Sequence, residues 1–108
     1  MNSRVIAIVL VAVFLPGLPA FADAGKAKYE KVCASCHGLE GRADTKKGKK
    51  LKAADYREVA ELSGEGALEH IKKTVRENKK HRATTKKVSD EDLASIAQYV
   101  RAMLATQK

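Results

Sequence analysis

The chemistry of this sequence concentrates in the run Cys33-Ala34-Ser35-Cys36-His37. Positions i and i+3 are neighbours on a helical surface, so at a helix end both thiols face the same way. They can then reach the two vinyl groups of one haem and form thioethers, while His37, at i+4 from Cys33, can offer an imidazole nitrogen to the iron. Two other chemistries use paired cysteines. A thioredoxin-like redox disulfide needs a βαβ context, and no alternating run of branched or aromatic residues supplies a strand. A zinc site would have to complete Cys33 and Cys36 with two of His37, His70 and His81, the three histidines of the chain. The expected cofactor is one covalent haem c.

The elements that must position this run read as helices. A first helix is expected over residues 24–36, carrying Gly25, Tyr29, Val32 and Cys33 on neighbouring turns. Residues 38–50, rich in Gly and Lys, read as a loop, and a short helix is expected around residues 55–62. After Ser63, the helical spacing of Ala67, Leu68, Ile71 and Val75 predicts a stronger helix. At about 100° per residue, His70 points off that stripe and is expected to face solvent. Residues 76–88 are polar, without periodicity, and read as loop. Ser89 then caps a final helix whose first residues, Asp90, Glu91 and Asp92, suit the positive end of the helix dipole. Its apolar stripe is Leu93, Ile96, Ala97, Val100 and Leu104. There is no internal repeat.

The N-terminus reads as a secretory signal peptide over residues 1–22, with a positive charge at Arg4, an apolar run over residues 5–14, and small residues at Ala20 and Ala22. The apolar run is shorter than the roughly 18–20 residues of a membrane helix, and Pro16, Gly17 and Pro19 break its end. Cleavage would leave one domain, residues 23–108, exported to the periplasm, without a transmembrane segment. That domain has no Phe and no Trp and only thirteen Leu, Ile and Val in 86 residues. This is below the roughly 20% at which a highly charged chain reads as disordered. A rigid apolar porphyrin would supply the missing core.

The 21 Lys and Arg exceed the 13 Asp and Glu to give a net charge of +8, or +7 once Arg4 is removed. Export excludes nucleic acid as the partner. The charge falls in two clusters, Lys46, Lys47, Lys49, Lys50 and Lys52, then Lys79, Lys80, Arg82, Lys86 and Lys87. They read either as a solvated surface or as a docking face for an acidic redox partner.

These features together resemble the small monohaem class I cytochromes c of bacteria. The resemblance rests on Gly25 and Tyr29 in a helix that runs into Cys33-x-x-Cys36-His37-Gly38, then Gly41, the start of the last helix at Val88-Ser89-Asp90-Glu91, and Tyr99-Val100 within it. It implies an all-α class I cytochrome c fold in which the N- and C-terminal helices cross at Gly25, Tyr29 and Tyr99 around one covalent haem. It also implies an electron carrier with no catalytic residues, working with other redox proteins. Cys33 and Cys36 would form the thioethers and His37 would be the proximal iron ligand.

The sequence departs from that pattern at the sixth ligand. The family places a methionine, usually followed by proline, eight residues before the capping serine; here His81 stands there, followed by Arg82 and Ala83. His81 is therefore the expected distal ligand, with Met103, His70 or an open site bound by water or lysine as alternatives. Bis-histidine ligation implies a low reduction potential. An open site would instead allow a gas or redox sensor or a weak peroxidase, although no distal acid–base constellation is visible. Arg42, Arg57 and Tyr56 are candidates to hold a haem propionate.

Overall fold

The computed structural model describes residues 19–107, with side chains over residues 24–84 and 86–107. The apolar run read as a signal peptide lies outside the described residues. Among the described residues six α-helices follow in order: α1 (Pro19–Val32), α2 (Ala34–His37), α3 (Lys46–Leu51), α4 (Ala67–Glu77), α5 (Arg82–Thr85) and α6 (Asp90–Ala105). Three 3₁₀ turns, Tyr56–Glu58, Ala60–Ser63 and Lys79–His81, lie between them. Among the described residues there is no strand, so the expected all-α fold holds.

The frame is the crossing of α1 and α6. Gly25 permits it, because a Cβ there would overlap the carbonyl of Ser95. One turn on, Tyr29 is fully buried, with its ring tilted against Tyr99 at 5.3 Å and its hydroxyl donating to the Gly38 carbonyl at 2.6 Å. Lys28 and Asp92 pair across the same crossing at 3.5 Å. The α6 stripe is buried as expected at Leu93, Ile96, Ala97, Val100 and Leu104. Complete burial of an aliphatic side chain of this size is worth about 1.5–3 kcal/mol, so this one helix carries much of the small core. Ser89 and Asp92 close a capping box at its start: the Ser89 hydroxyl accepts the Asp92 N–H at 3.1 Å, and the Asp92 carboxylate accepts the Ser89 N–H at 2.9 Å.

Four segments differ from expectation. The helix expected over residues 24–36 is interrupted at Cys33, where α1 ends and α2 begins. The segment read as the loop 38–50 contains α3, despite its lack of an apolar stripe. Thr45 caps α3 by accepting the Gly48 N–H at 2.9 Å, and its hydroxyl reaches back to the Ser35 carbonyl at 2.7 Å. Gly48 sits so close to the Cys36 carbonyl that a Cβ would overlap it. The polar segment 76–88 is likewise ordered: α4 runs to Glu77, then Asn78 caps the Lys79–His81 turn that leads into α5. The short helix expected near residues 55–62 is a pair of 3₁₀ turns, the first capped by the Asp55 side chain accepting the Arg57 N–H at 2.9 Å.

Candidate functional site

Between α1–α2 on one side and α4, the Lys79–His81 turn and α6 on the other lies an open cleft. Its floor is aliphatic, from Val32, Leu62, Ile71, Leu93 and Ile96. Cys33, Cys36 and His37 line one wall, and His70 and His81 approach from the other. The structure thus gathers around one space the motif and the distal candidate that lies 44 residues further on.

The two histidines are held alike. His37 Nδ1 lies 2.9 Å from the Ala54 carbonyl, and His81 Nδ1 lies 3.1 Å from the Thr74 carbonyl. A carbonyl oxygen only accepts, so in each ring Nδ1 carries a proton, which in a neutral imidazole leaves the lone pair on Nε2. This backbone anchoring of the far nitrogen is how metal-binding imidazoles are usually oriented. The ring centroids stand 6.2 Å apart with their planes at 18°. That is too far for contact through the ring faces. Were both Nε2 atoms to bind one metal ion, the ring centres would stand about 6.4 Å apart, from two metal–nitrogen bonds of about 2 Å and roughly 1.2 Å from nitrogen to ring centre on each side, which is close to this spacing.

The surroundings keep His37 neutral. Burial, the largest effect, lowers its pKa; the Ala54 carbonyl opposes this by favouring the N–H, and the nearby His81 lowers it again. A ligating imidazole must be neutral, so this setting suits a metal ligand. Tyr56 stacks on the ring at 4.5 Å and 25°. The Cys33 thiol is pushed up to about 12, mainly by burial and then by Cys36. A thiol–disulfide catalyst needs the opposite, a thiol with a depressed pKa. The zinc alternative finds no support either: among the described residues no three His, Cys, Asp or Glu side chains are grouped as a metal site would require.

The remaining candidates separate clearly. Met103 does not border the cleft; it packs beside Gly41 on the far side of α6, next to Leu39 and Tyr99. His70, expected to face solvent, is half-buried and borders the cleft, because the α4 face bearing Ile71 and Thr74 forms the cleft wall rather than packing wholly into the core. Arg57 is held by Asp55 at 2.7 Å and Arg42 by Glu40 at 3.2 Å, and neither lines the cleft, whereas Tyr56 does. Sequence reasoning missed the Ala54 and Thr74 carbonyls, since backbone acceptors carry no residue-type signal. It also missed the tie from Lys80 Nζ to the Leu51 carbonyl at 2.6 Å.

A helical cage closed by crossing terminal helices, with a Cys-x-x-Cys-His segment on the wall of an apolar cleft, defines a small c-type cytochrome. Comparison with known families agrees: the family described as cytochrome c oxidase, cbb3-type, subunit III matches residues 20–100, and the chain belongs to it. No curated protein and no solved structure matches the chain. The match spans α1 to most of α6, so it includes every wall of the cleft. The cofactor is accordingly a covalently bound c-type haem, the role is haem-based electron transfer, and the partners are redox partners. Among the described residues no helix is long and apolar enough to cross a membrane.

Proposed function

We propose that this chain is an exported, low-potential electron carrier in which Cys33 and Cys36 form the thioethers, His37 is the proximal iron ligand and His81 the distal one. The signal peptide would be residues 1–22 and the working domain residues 23–108, released into the periplasm. The observation that carries the reading is the pair of imidazoles that line one cleft, 6.2 Å apart with nearly parallel planes and each anchored through Nδ1 to a carbonyl.

The bound haem supplies one-electron chemistry between ferric and ferrous iron. The chain's own residues do the rest. His37 and His81 are pre-oriented by backbone acceptors, so little rearrangement accompanies a change of charge between them. Val32, Leu62, Leu93 and Ile96 exclude water from the interior. Two imidazoles favour the ferric state more than an imidazole and a thioether do, which places the potential low. The exposed lysines of α3 and of residues 79–87 give an acidic partner a surface on which to dock.

The absorption spectrum tests the ligation. The holoprotein should be low-spin in both oxidation states, lack the charge-transfer band of an iron–sulfur bond, and take up carbon monoxide slowly. Rapid, complete uptake would instead favour the open-site reading of a sensor or peroxidase. An iron–sulfur band in the wild type would eliminate His81 as the ligand.

A further inference from the structure

The turn that carries His81 adds almost nothing to the core. None of residues 78–84 is buried, so hydrophobic packing cannot set where the ring stands. Polar ties do. From the α4 side, Asn78 closes the turn: its carbonyl accepts the His81 N–H at 2.9 Å and its side-chain oxygen accepts the Lys80 N–H at 2.9 Å. The Thr74 carbonyl then holds the ring itself.

From across the cleft, Lys80 is the tie. Its ammonium donates to the Leu51 carbonyl at 2.6 Å, and among the described residues no other hydrogen bond joins residues 45–55 to residues 78–84. Leu51 is the last residue of α3, so its carbonyl is one of those that a helix end leaves without an intrahelical partner, and a cation is a favourable donor there. Three residues further on, the Ala54 carbonyl holds His37. The segment 51–54 therefore carries a support for each imidazole. It is fixed in turn to the cysteine motif, through Thr45 on the Ser35 carbonyl and the close fit of Gly48 on Cys36.

We propose that Lys80 is a positioning residue that latches the His81 turn to the segment 51–54, so that one short stretch of backbone sets the spacing of both imidazoles. This rests on the reading of His81 as distal ligand. Without the latch the turn hinges on α4 alone and His81 spends more time away from the cleft.

The test is carbon monoxide binding to the ferrous holoprotein, with the low-spin fraction of the ferric spectrum as a second readout and circular dichroism to verify folding. Lys80→Met removes the donor while keeping the length of the side chain. A charge-assisted hydrogen bond at a partly exposed site shifts such an opening equilibrium by about three- to tenfold, and uptake should accelerate by that factor. Lys80→Arg should restore most of the wild-type rate. Lys79→Met, which removes an equal charge from the neighbouring position, should leave the rate unchanged. His81→Ala separates the two ideas. If it opens the iron while Lys80→Met matches the wild type, or while Lys79→Met and Lys80→Met act alike, the latch is refuted and the ligand assignment stands. If His81→Ala changes nothing, both fall.

Discussion

With His81 as the proposed distal ligand, replacing it by Met should raise the reduction potential without unfolding the protein. The structure sets the cost. Loss of the imidazole removes its Nδ1 bond to Thr74, but the Thr74 carbonyl keeps the Asn78 N–H at 3.1 Å, so no buried acceptor is orphaned. The expected penalty is one net hydrogen bond, about 0.5–1.5 kcal/mol. No buried side chain is lost, because His81 is only half-buried and its neighbours in the turn are exposed. The gain in potential comes from exchanging a nitrogen donor for a thioether, within a span of roughly 0.8 V that axial ligands control. A rise on the order of 100 mV or more is expected, which is about 2.3 kcal/mol. Lys79 and Arg82 also favour the reduced state, since positive charge disfavours ferric haem. At separations of about 10 Å in water each contributes roughly 0.4 kcal/mol or less before salt screening. They are present in both proteins and cancel from the difference. Potentiometric titration of wild type and variant, with the iron–sulfur band followed in the same samples, makes the comparison. A variant whose potential is unchanged or lower would refute the assignment of His81.

Three further outcomes follow from the same description. Electron transfer to an acidic partner should slow as ionic strength rises from about 0.01 to 0.15 M, because the screening length falls from roughly 30 to 8 Å; a salt-independent rate would return the lysines of α3 to a solubility role. Replacing Cys33 and Cys36 together by Ala should leave a chain with little helical circular dichroism, since the aliphatic cleft walls then face water; a stably helical product would show that α1, α4 and α6 need no haem. At the start of α6, the Ser89 N–H, and then Lys28, hold the Asp92 carboxyl below the ordinary carboxylate range against the opposing effect of burial. A depressed carboxyl stabilises the fold above its unfolded pKa, and that stabilisation is lost as pH falls through the folded value. The holoprotein should therefore lose melting temperature below about pH 4, less steeply in Asp92→Asn, while Ser89→Ala costs about 1 kcal/mol at neutral pH.

What could be read in the sequence was what residue type and period encode. The α6 stripe and its Ser89 cap and the α4 stripe were legible, because burial and capping select those residues directly; the meeting of Gly25, Tyr29 and Tyr99 was legible only through the family resemblance. The helix α3 was not. Lys46, Lys47, Lys49 and Lys50 show no apolar face, and the segment is shaped by contacts distant in sequence, Thr45 on the Ser35 carbonyl and Gly48 on Cys36. The Lys79–His81 turn was hidden for a similar reason, since it depends on one asparagine and on carbonyls belonging to α4. His70 was misread because its helix does not pack against a full core: the side facing the cleft takes in Ile71 and Val75 of the stripe and reaches past them to His70 and Thr74. The cysteine motif was legible in full, but the carbonyls that aim its histidine and the histidine opposite are placed by the fold.

The two halves of the site differ in how freely they can change. His37 belongs to a segment locked by the α1–α6 crossing, the Tyr29–Gly38 bond and the fit of α3, so a substitution there disturbs the whole frame. His81 rides on a turn that buries nothing and is fastened by hydrogen bonds alone. In the proposed ligation, the residue with most influence over the potential thus sits where the fold is least demanding. Selection for a different donor or acceptor could exchange that one side chain, and with it the voltage at which the carrier works, while leaving every helix where it stands.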